Sequence, residues 1–234
     1  MTDQINKGLS ANALKLIAAA CMLVDHVGAI ILPQVLILRF IGRLAFPIYA
    51  FMVAQGCRHT RNKLRYFLGI FLLGVGCQLV YTVATGADRW NILLTFSASI
   101  LILYCILWME GSIQKRKYGQ LAAAAGCFVL TLTAVCYVNR QLPFDYGMWG
   151  CMAAVLAGLF PGGKNKPLPV LLLGVALLGT AYAFGSIQLY ALLALPLLLC
   201  YSGARGRRKM KYFFYIFYPA HLALLYGIAV LINN

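Results

Sequence analysis

Apolar residues in this chain come in nine stretches, and most of the charge sits in the short linkers between them. That arrangement leaves few folds open. A segment of about 20 apolar residues is long enough to cross the hydrocarbon core of a bilayer as a helix. The stretches run over Ala13–Leu32, Val35–Gly56, Leu64–Ala84, Trp90–Met109, Tyr118–Val138, Tyr146–Phe160, Pro167–Phe184, Ile187–Tyr201 and Tyr212–Leu231. The sixth and eighth fall short of a full crossing, so the expected count is about nine, within 8–10. Only 11% of residues are charged, against about 25% in a soluble domain. The expectation is an all-α, polytopic transmembrane helix bundle, one domain over residues 1–234.

The linkers test the count. Arg58–Arg65 holds four Lys/Arg, whereas Asp88 and Arg89 cancel; Lys115–Lys117 is basic, whereas Arg140 and Asp145 balance. Lys164 and Lys166 follow, then the uncharged Phe184–Ile187, then Arg205, Arg207, Arg208, Lys209 and Lys211. Basic and neutral linkers alternate as nine crossings require, and the positive-inside rule places the N-terminus in the cytoplasm. Sixteen of the twenty Lys/Arg then fall on that side; the others are Arg39, Arg43, Arg89 and Arg140. The net charge of +15 is therefore read as membrane orientation and contact with lipids, not as affinity for nucleic acid. The eight cysteines lie in or beside apolar stretches without a CxxC pair and read as small buried hydrophobes. The first stretch has no clear small-residue cleavage site and is not read as a signal peptide.

Within that first stretch, LKLIAAACMLVDHVGAI (Leu14–Ile30), stand Lys15, Asp25 and His26. Ionisable residues at membrane depth are costly and mark a functional site by default. Lys15 and His26 are eleven residues apart, about three helical turns, so they share one side of the helix with about 16 Å between them. His221 lies about 14 Å into the ninth stretch, at a depth similar to that of His26. Asp25 and His26 are adjacent in sequence, yet neighbouring helical side chains diverge by about 100°, so direct contact between them does not follow. Asp25 can pair instead with Arg39 or Arg43, which are four apart and share a helix face. Two inward guanidiniums suit a carboxylate or phosphate. Arg39 also fits an arginine reaching for the outer interface; Arg43 is too deep for that.

His59 sits in the basic run GCRHTRNKLRY with Arg58 and Lys63. That run fits a loop touching anionic lipid or a rim that holds phosphate. Asn91, Thr95, Asp145, Tyr146 and Gly147 lie at outer ends of stretches and by themselves are ordinary capping residues. Acyl transfer links the pieces. It needs a general base, and His26 is the candidate, since an imidazole ordinarily titrates near neutral pH. A cytoplasmic donor such as acetyl-CoA could rest its phosphates on Lys15 and the basic loops and extend its thioester arm toward His26. No nucleotide-binding fingerprint is present.

On four blocks the chain resembles the TraX family, membrane proteins associated with N-terminal acetylation of conjugative pilin. The blocks are LKLIAAACMLVDHVGAI; LRFIGRLAFPIYAFMVAQGCRHTRNKLRY; NILLT with DYGMWG; and YSGARGRRKMKYFFYIFYPAHLALLY. The resemblance implies that Asp25, His26, Arg39, Arg43, Asn91, Thr95, Tyr146, Gly147, Tyr218, Pro219 and His221 match motif positions, and that acetyl-CoA is the donor. A weaker likeness is to the membrane acyltransferases that O-acetylate surface polysaccharides, through the Lys15…His26 spacing and the later arginine pair. The expected function is thus acetyl transfer from cytoplasmic acetyl-CoA to an amine or hydroxyl acceptor, in the cytoplasmic membrane of a bacterium. His26, Asp25 and His221 are the expected catalytic residues. Lys15, Arg58, His59 and Lys63 are expected to hold the donor, and Arg39, Arg43, Asn91, Thr95, Tyr146 and Tyr218 the substrate. The sequence does not read the acceptor or the oligomeric state. Two other readings are a proton-coupled transporter or anion carrier using Asp25, His26, Arg43 and His221, and a non-catalytic partner that binds through Tyr212–Tyr218. Inverted repeats, which many carriers show, are not visible.

Overall fold

The computed structural model of the protein describes residues 8–86, 89–161, 167–206 and 210–233. Of the charged linker residues, Lys7, Asp88, Lys164, Lys166, Arg207, Arg208 and Lys209 lie outside the described residues, as does the side chain of Lys211. The described chain is helical: α1 (Ala11–Ile30), α2 (Leu36–Gly42), α3 (Ala45–His59), α4 (Lys63–Thr85), α5 (Ile92–Gln114), α6 (Tyr118–Gln141), α7 (Gly147–Gly158) and α8 (Leu168–Phe184). A 3₁₀ helix (Ser186–Ala194), α9 (Leu195–Leu199) and α10 (Lys211–Asn233) complete it.

Local chemistry sets the boundaries. The Ser10 side chain accepts from the Ala13 amide at 3.2 Å and starts α1; Asn62 does the same for Arg65 at 2.9 Å and starts α4, as N-caps do. Gly86, with φ 66°, closes α4 in the left-handed conformation. The stretch read from sequence as one span, Val35–Gly56, is two helices, α2 and α3, broken at Arg43–Leu44. Pro47 explains the break. Its ring would clash with the carbonyl four residues back, on Arg43, so no single helix can run through. As the third residue of α3, Pro47 lacks only an amide that would have no partner there.

Six apolar segments are long enough to cross a membrane: Ala11–Ile30, Leu36–His59, Lys63–Val83, Ile92–Gln114, Tyr118–Gln141 and Tyr212–Ile232. Gly147–Gly158, Leu168–Phe184 and Ser186–Leu199 are shorter. The last of these, expected as an ordinary helix over Ile187–Tyr201, is mostly 3₁₀. A 3₁₀ helix rises about 2 Å per residue against about 1.5 Å for an α-helix, so Ser186–Leu199 reaches about 25 Å from few residues.

The chain packs as two compact units, Met1–Met52 with Gly162–Asn234, and Val53–Pro161. In the first unit α1 and α2 form an antiparallel hairpin drawn close by two glycines. A Cβ on Gly28 would lie 2.7 Å from the Leu38 Cβ, and one on Gly42 would overlap the side chain of Asp25. Small residues of this kind let membrane helices approach backbone to backbone. Helix α10 packs on the other side of α1 and runs parallel to it: Lys15 meets Phe214, and His26, further along, meets His221. A first and a last helix that run parallel need an odd number of crossings. If all six long segments cross, at least one shorter segment crosses too. The 3₁₀ helix touches α2 through the stacked rings of Phe40 and Tyr190, 4.2 Å apart.

In the second unit α5 is central, with α4, α6 and α7 against it. Ser97 and Ser99 of α5 donate to the carbonyls of Leu93 and Thr95, and Ser99 also to that of Cys151 in α7, each at 2.8–3.0 Å. All eight cysteines are free, but they are not uniformly buried as expected: Cys127, Cys136 and Cys200 are exposed. The first two lie on α6, which is covered on one side and turns the rest of its apolar surface outward, as lipid-facing helices do.

Candidate functional site

Asp25 is the hub of the first unit. Its Oδ2 pairs with Arg39 Nη1 at 2.8 Å and its Oδ1 with Arg43 Nη2 at 2.6 Å. Arg39 Nη1 also donates to the Asp25 carbonyl at 2.9 Å. The close α1–α2 approach at Gly42 brings these groups together, because both arginines leave α2 toward α1. Arg43 ties three elements. Its Nε donates to the Arg39 carbonyl at the end of α2, its Nη2 reaches Asp25 on α1, and its Nη1 donates to Gln188 Oε1 on the 3₁₀ helix at 3.5 Å. Arg43 is 7% exposed, so its charge depends on these partners; a buried charge is tolerated when paired and hydrogen-bonded.

Helical geometry sends His26 the other way, to α10. Its Nδ1 lies 2.9 Å from Nε2 of His221, and Nδ1 of His221 lies 2.6 Å from the Phe217 carbonyl. A carbonyl only accepts, so Nδ1 of His221 carries a proton. When both rings are neutral, Nε2 of His221 is then an acceptor, and His26 must donate from Nδ1. The tautomers follow from the network. They leave Nε2 of His26 with a lone pair and no hydrogen bond among the described residues. The Phe217 ring stacks on His221 at 4.9 Å and the Tyr218 ring stands edge-on at 6.0 Å. Pro219, inside α10, supplies no amide to the preceding turn. Beside the histidines, Ile17, Cys21, Met22, Leu44, Ala45, Tyr49, Phe217 and Tyr218 pack as an apolar cluster.

Lys15 lies on the same helix as His26, with Nζ 5.8 Å from the centre of the Phe214 ring. The segment after α9 holds the start of α1: the amides of Ala11 and Asn12 donate to the carbonyls of Ala204 and Arg205 at 2.8 and 3.2 Å. The Lys15 end of α1 and Arg205 therefore share one end of this unit.

The other expected site residues belong to the second unit, and each is engaged there. Arg58 donates to the carbonyls of Gly158 and Leu159 at 2.7 and 2.6 Å and pairs with Glu110 at 3.1 Å. It thereby closes the C-terminus of α7, a favourable place for a cation. His59 Nδ1 lies 2.8 Å from the Gln55 carbonyl, and Lys63 Nζ lies 5.4 Å from the centre of the Tyr104 ring. Asn91 accepts from the amides of Leu93 and Leu94 and donates to the Gly74 carbonyl at 2.8 Å. Thr95 is fully buried, with Oγ1 shared between the carbonyls of Asn91 and Asp145 at 3.4 and 3.3 Å. Tyr146 takes a left-handed conformation, φ 58°, in the turn before α7. A Cβ at Gly150, in the first turn of α7, would lie 2.7 Å from the Asp145 carbonyl.

Sequence reasoning missed Gln188, a single polar residue in an apolar run that gave no sign of facing Arg43. It also missed Gly42, whose lack of a side chain admits Asp25, and the Phe217 carbonyl, which no sequence signal reports.

The sequence of residues 10–229 matches the family described as TraX protein. The chain is 28% identical over 94% of its length to a probable fimbrial assembly protein, FimC of serogroup H1, from Dichelobacter nodosus, and covers 96% of that protein. It is 29% identical over 61% of its length to an uncharacterized protein of Rickettsia prowazekii (strain Madrid E), covering 52% of it. No solved structure matches.

Proposed function

Because this chain belongs to the TraX family, we propose that it is a membrane acetyltransferase of the bacterial cytoplasmic membrane that takes acetyl from acetyl-CoA. The observation that carries this reading is the lone pair on Nε2 of His26, at the end of a chain running from the Phe217 carbonyl through His221. A base needs both an open nitrogen and a fixed tautomer. In the proposed step an acceptor amine or hydroxyl gives its proton to His26 Nε2 and attacks the thioester carbonyl carbon. The carbon–sulfur bond breaks, and the leaving thiolate recovers the proton. The guanidiniums of Arg39 and Arg43, anchored on Asp25, supply positive charge beside the base. The Lys15 end of α1 would receive the CoA phosphates. The fimbrial assembly named for the Dichelobacter relative fits an acceptor on a pilus subunit or another envelope component.

The test is transfer of labelled acetyl from acetyl-CoA to candidate acceptors by the purified protein. Replacing His26 with Ala is expected to lower turnover about 10²–10⁴-fold, the usual worth of a general base. Equal turnover by the variant would overturn the assignment. The His26–His221 contact also suits a proton relay in a carrier. Proton-coupled flux into proteoliposomes without acetyl-CoA would favour that second reading.

A further inference from the structure

The charge of the first unit does not balance. Among residues 8–52 and 167–233 Asp25 is the one carboxylate side chain, and both of its oxygens are taken, one by each arginine. Two guanidiniums against one carboxylate leave a net charge of +1 between α1, α2 and the 3₁₀ helix. Arg43 is spent on Asp25, the Arg39 carbonyl and Gln188. Arg39 is not. Its bonds to Asp25 use Nη1 alone, so Nε and Nη2 have no partner among the described residues, and the side chain is 29% exposed. An arginine seeking water at the interface would extend away from the helix pair; this one is fastened inward by two bonds. What remains is a fixed fork of donors on the exposed edge of a positively charged cluster anchored on Asp25, the residue before His26. The paired donors of a guanidinium match the two oxygens of a carboxylate, phosphate or sulfate.

We infer that the acceptor of the acyl group carries such an anionic group and docks it on the open edge of Arg39, while Arg43 and Gln188 hold the cluster in place. The inference rests on the acyl-transfer reading for the word acceptor; the anion subsite itself does not. Gln188 is a positioning residue. Because Arg43 can only donate, the atom of Gln188 that faces it is Oε1, so the amide fixes the direction of Arg43 and, through Asp25, that of Arg39.

The experiment is thermal unfolding of the protein in phosphatidylcholine nanodiscs, titrated with inorganic phosphate against chloride at constant ionic strength, and separately with acetyl-CoA. Phosphate is expected to raise the Tm saturably. Arg39→Gln should abolish that rise. Arg39→Lys keeps the charge on Asp25 and the fold, and should weaken the response at least several-fold because an ammonium lacks the fork. Both variants should keep the shift with acetyl-CoA. No phosphate response in the parent protein, or equal responses in the parent and both variants, overturns the subsite. Loss of the acetyl-CoA shift in the parent with phosphate binding intact overturns the donor assignment alone. Repetition in phosphatidylglycerol nanodiscs separates the sources: a phosphate response that persists points to a water-borne acceptor, and one that the headgroup displaces points to a lipid-borne one.

Discussion

In the α5–α7 region, polar side chains finish on the backbone beside them. Asn91 caps α5 and holds Gly74, Thr95 bridges two carbonyls, and Ser99 bonds both its own helix and Cys151. In the α1–α2–α10 region the accounting stays open. Nε2 of His26 and two donors of Arg39 are left over, and the cluster carries an excess positive charge. Asn91 and Thr95 of the one region and His26, Arg39 and His221 of the other all fall within the blocks that resemble TraX sequences. The difference between them is that one has used its polar groups to build helix ends and the other has kept some in reserve. Polar atoms spent on backbone stabilise; polar atoms fixed in place with nothing opposite them are available for chemistry.

Substitutions sharpen that contrast. Asp25→Ala should do most harm, because it leaves Arg43 buried without its counter-charge. A cost of about 3–5 kcal/mol is expected for breaking such a pair, read as loss of folded protein in chemical unfolding; a loss below about 1 kcal/mol would show that Asp25 does not organise the site. Gly42→Ala comes next. Its Cβ meets Asp25, and overpacking of this kind costs about 1–3 kcal/mol. The α1–α2 approach should loosen, and acetyl transfer should fall further than stability does. Asn91→Ala should be mildest, about 0.5–2 kcal/mol for a lost N-cap, with little change in turnover per folded molecule. A large rise in KM without a stability change would make Asn91 a substrate contact instead of a cap.

Much of the helical plan was legible before the structure, since long apolar runs leave a membrane chain little choice. The break at Arg43–Leu44 was present in the sequence as Pro47 but hidden by the unbroken apolar run around it. The 3₁₀ form of Ser186–Ala194 carries no sequence mark that distinguishes it from a short α-helix. Within the site, helix arithmetic correctly separated Asp25 from His26 and matched the depth of His221. It also offered Arg39 or Arg43 as the partner of Asp25; it could not reveal that Asp25 takes both, because that depends on the close approach at Gly42. Nor could it reveal the proton on His221, which depends on a backbone carbonyl. The expected roles of Asn91 and Thr95 came from resemblance, and motif position alone does not tell a cap from a contact.

The central claim is that His221 holds His26 with its proton on Nδ1 and its lone pair on Nε2. The chain has three histidines, so nitrogen NMR of the protein labelled with ¹⁵N-histidine, assigned by His→Ala variants, reads each tautomer separately. The expected spectrum shows His26 and His221 protonated at Nδ1, with His26 moving toward the Nε2-protonated form in His221→Ala. A His26 protonated at Nε2 in the parent protein, or one indifferent to the loss of His221, would contradict the account.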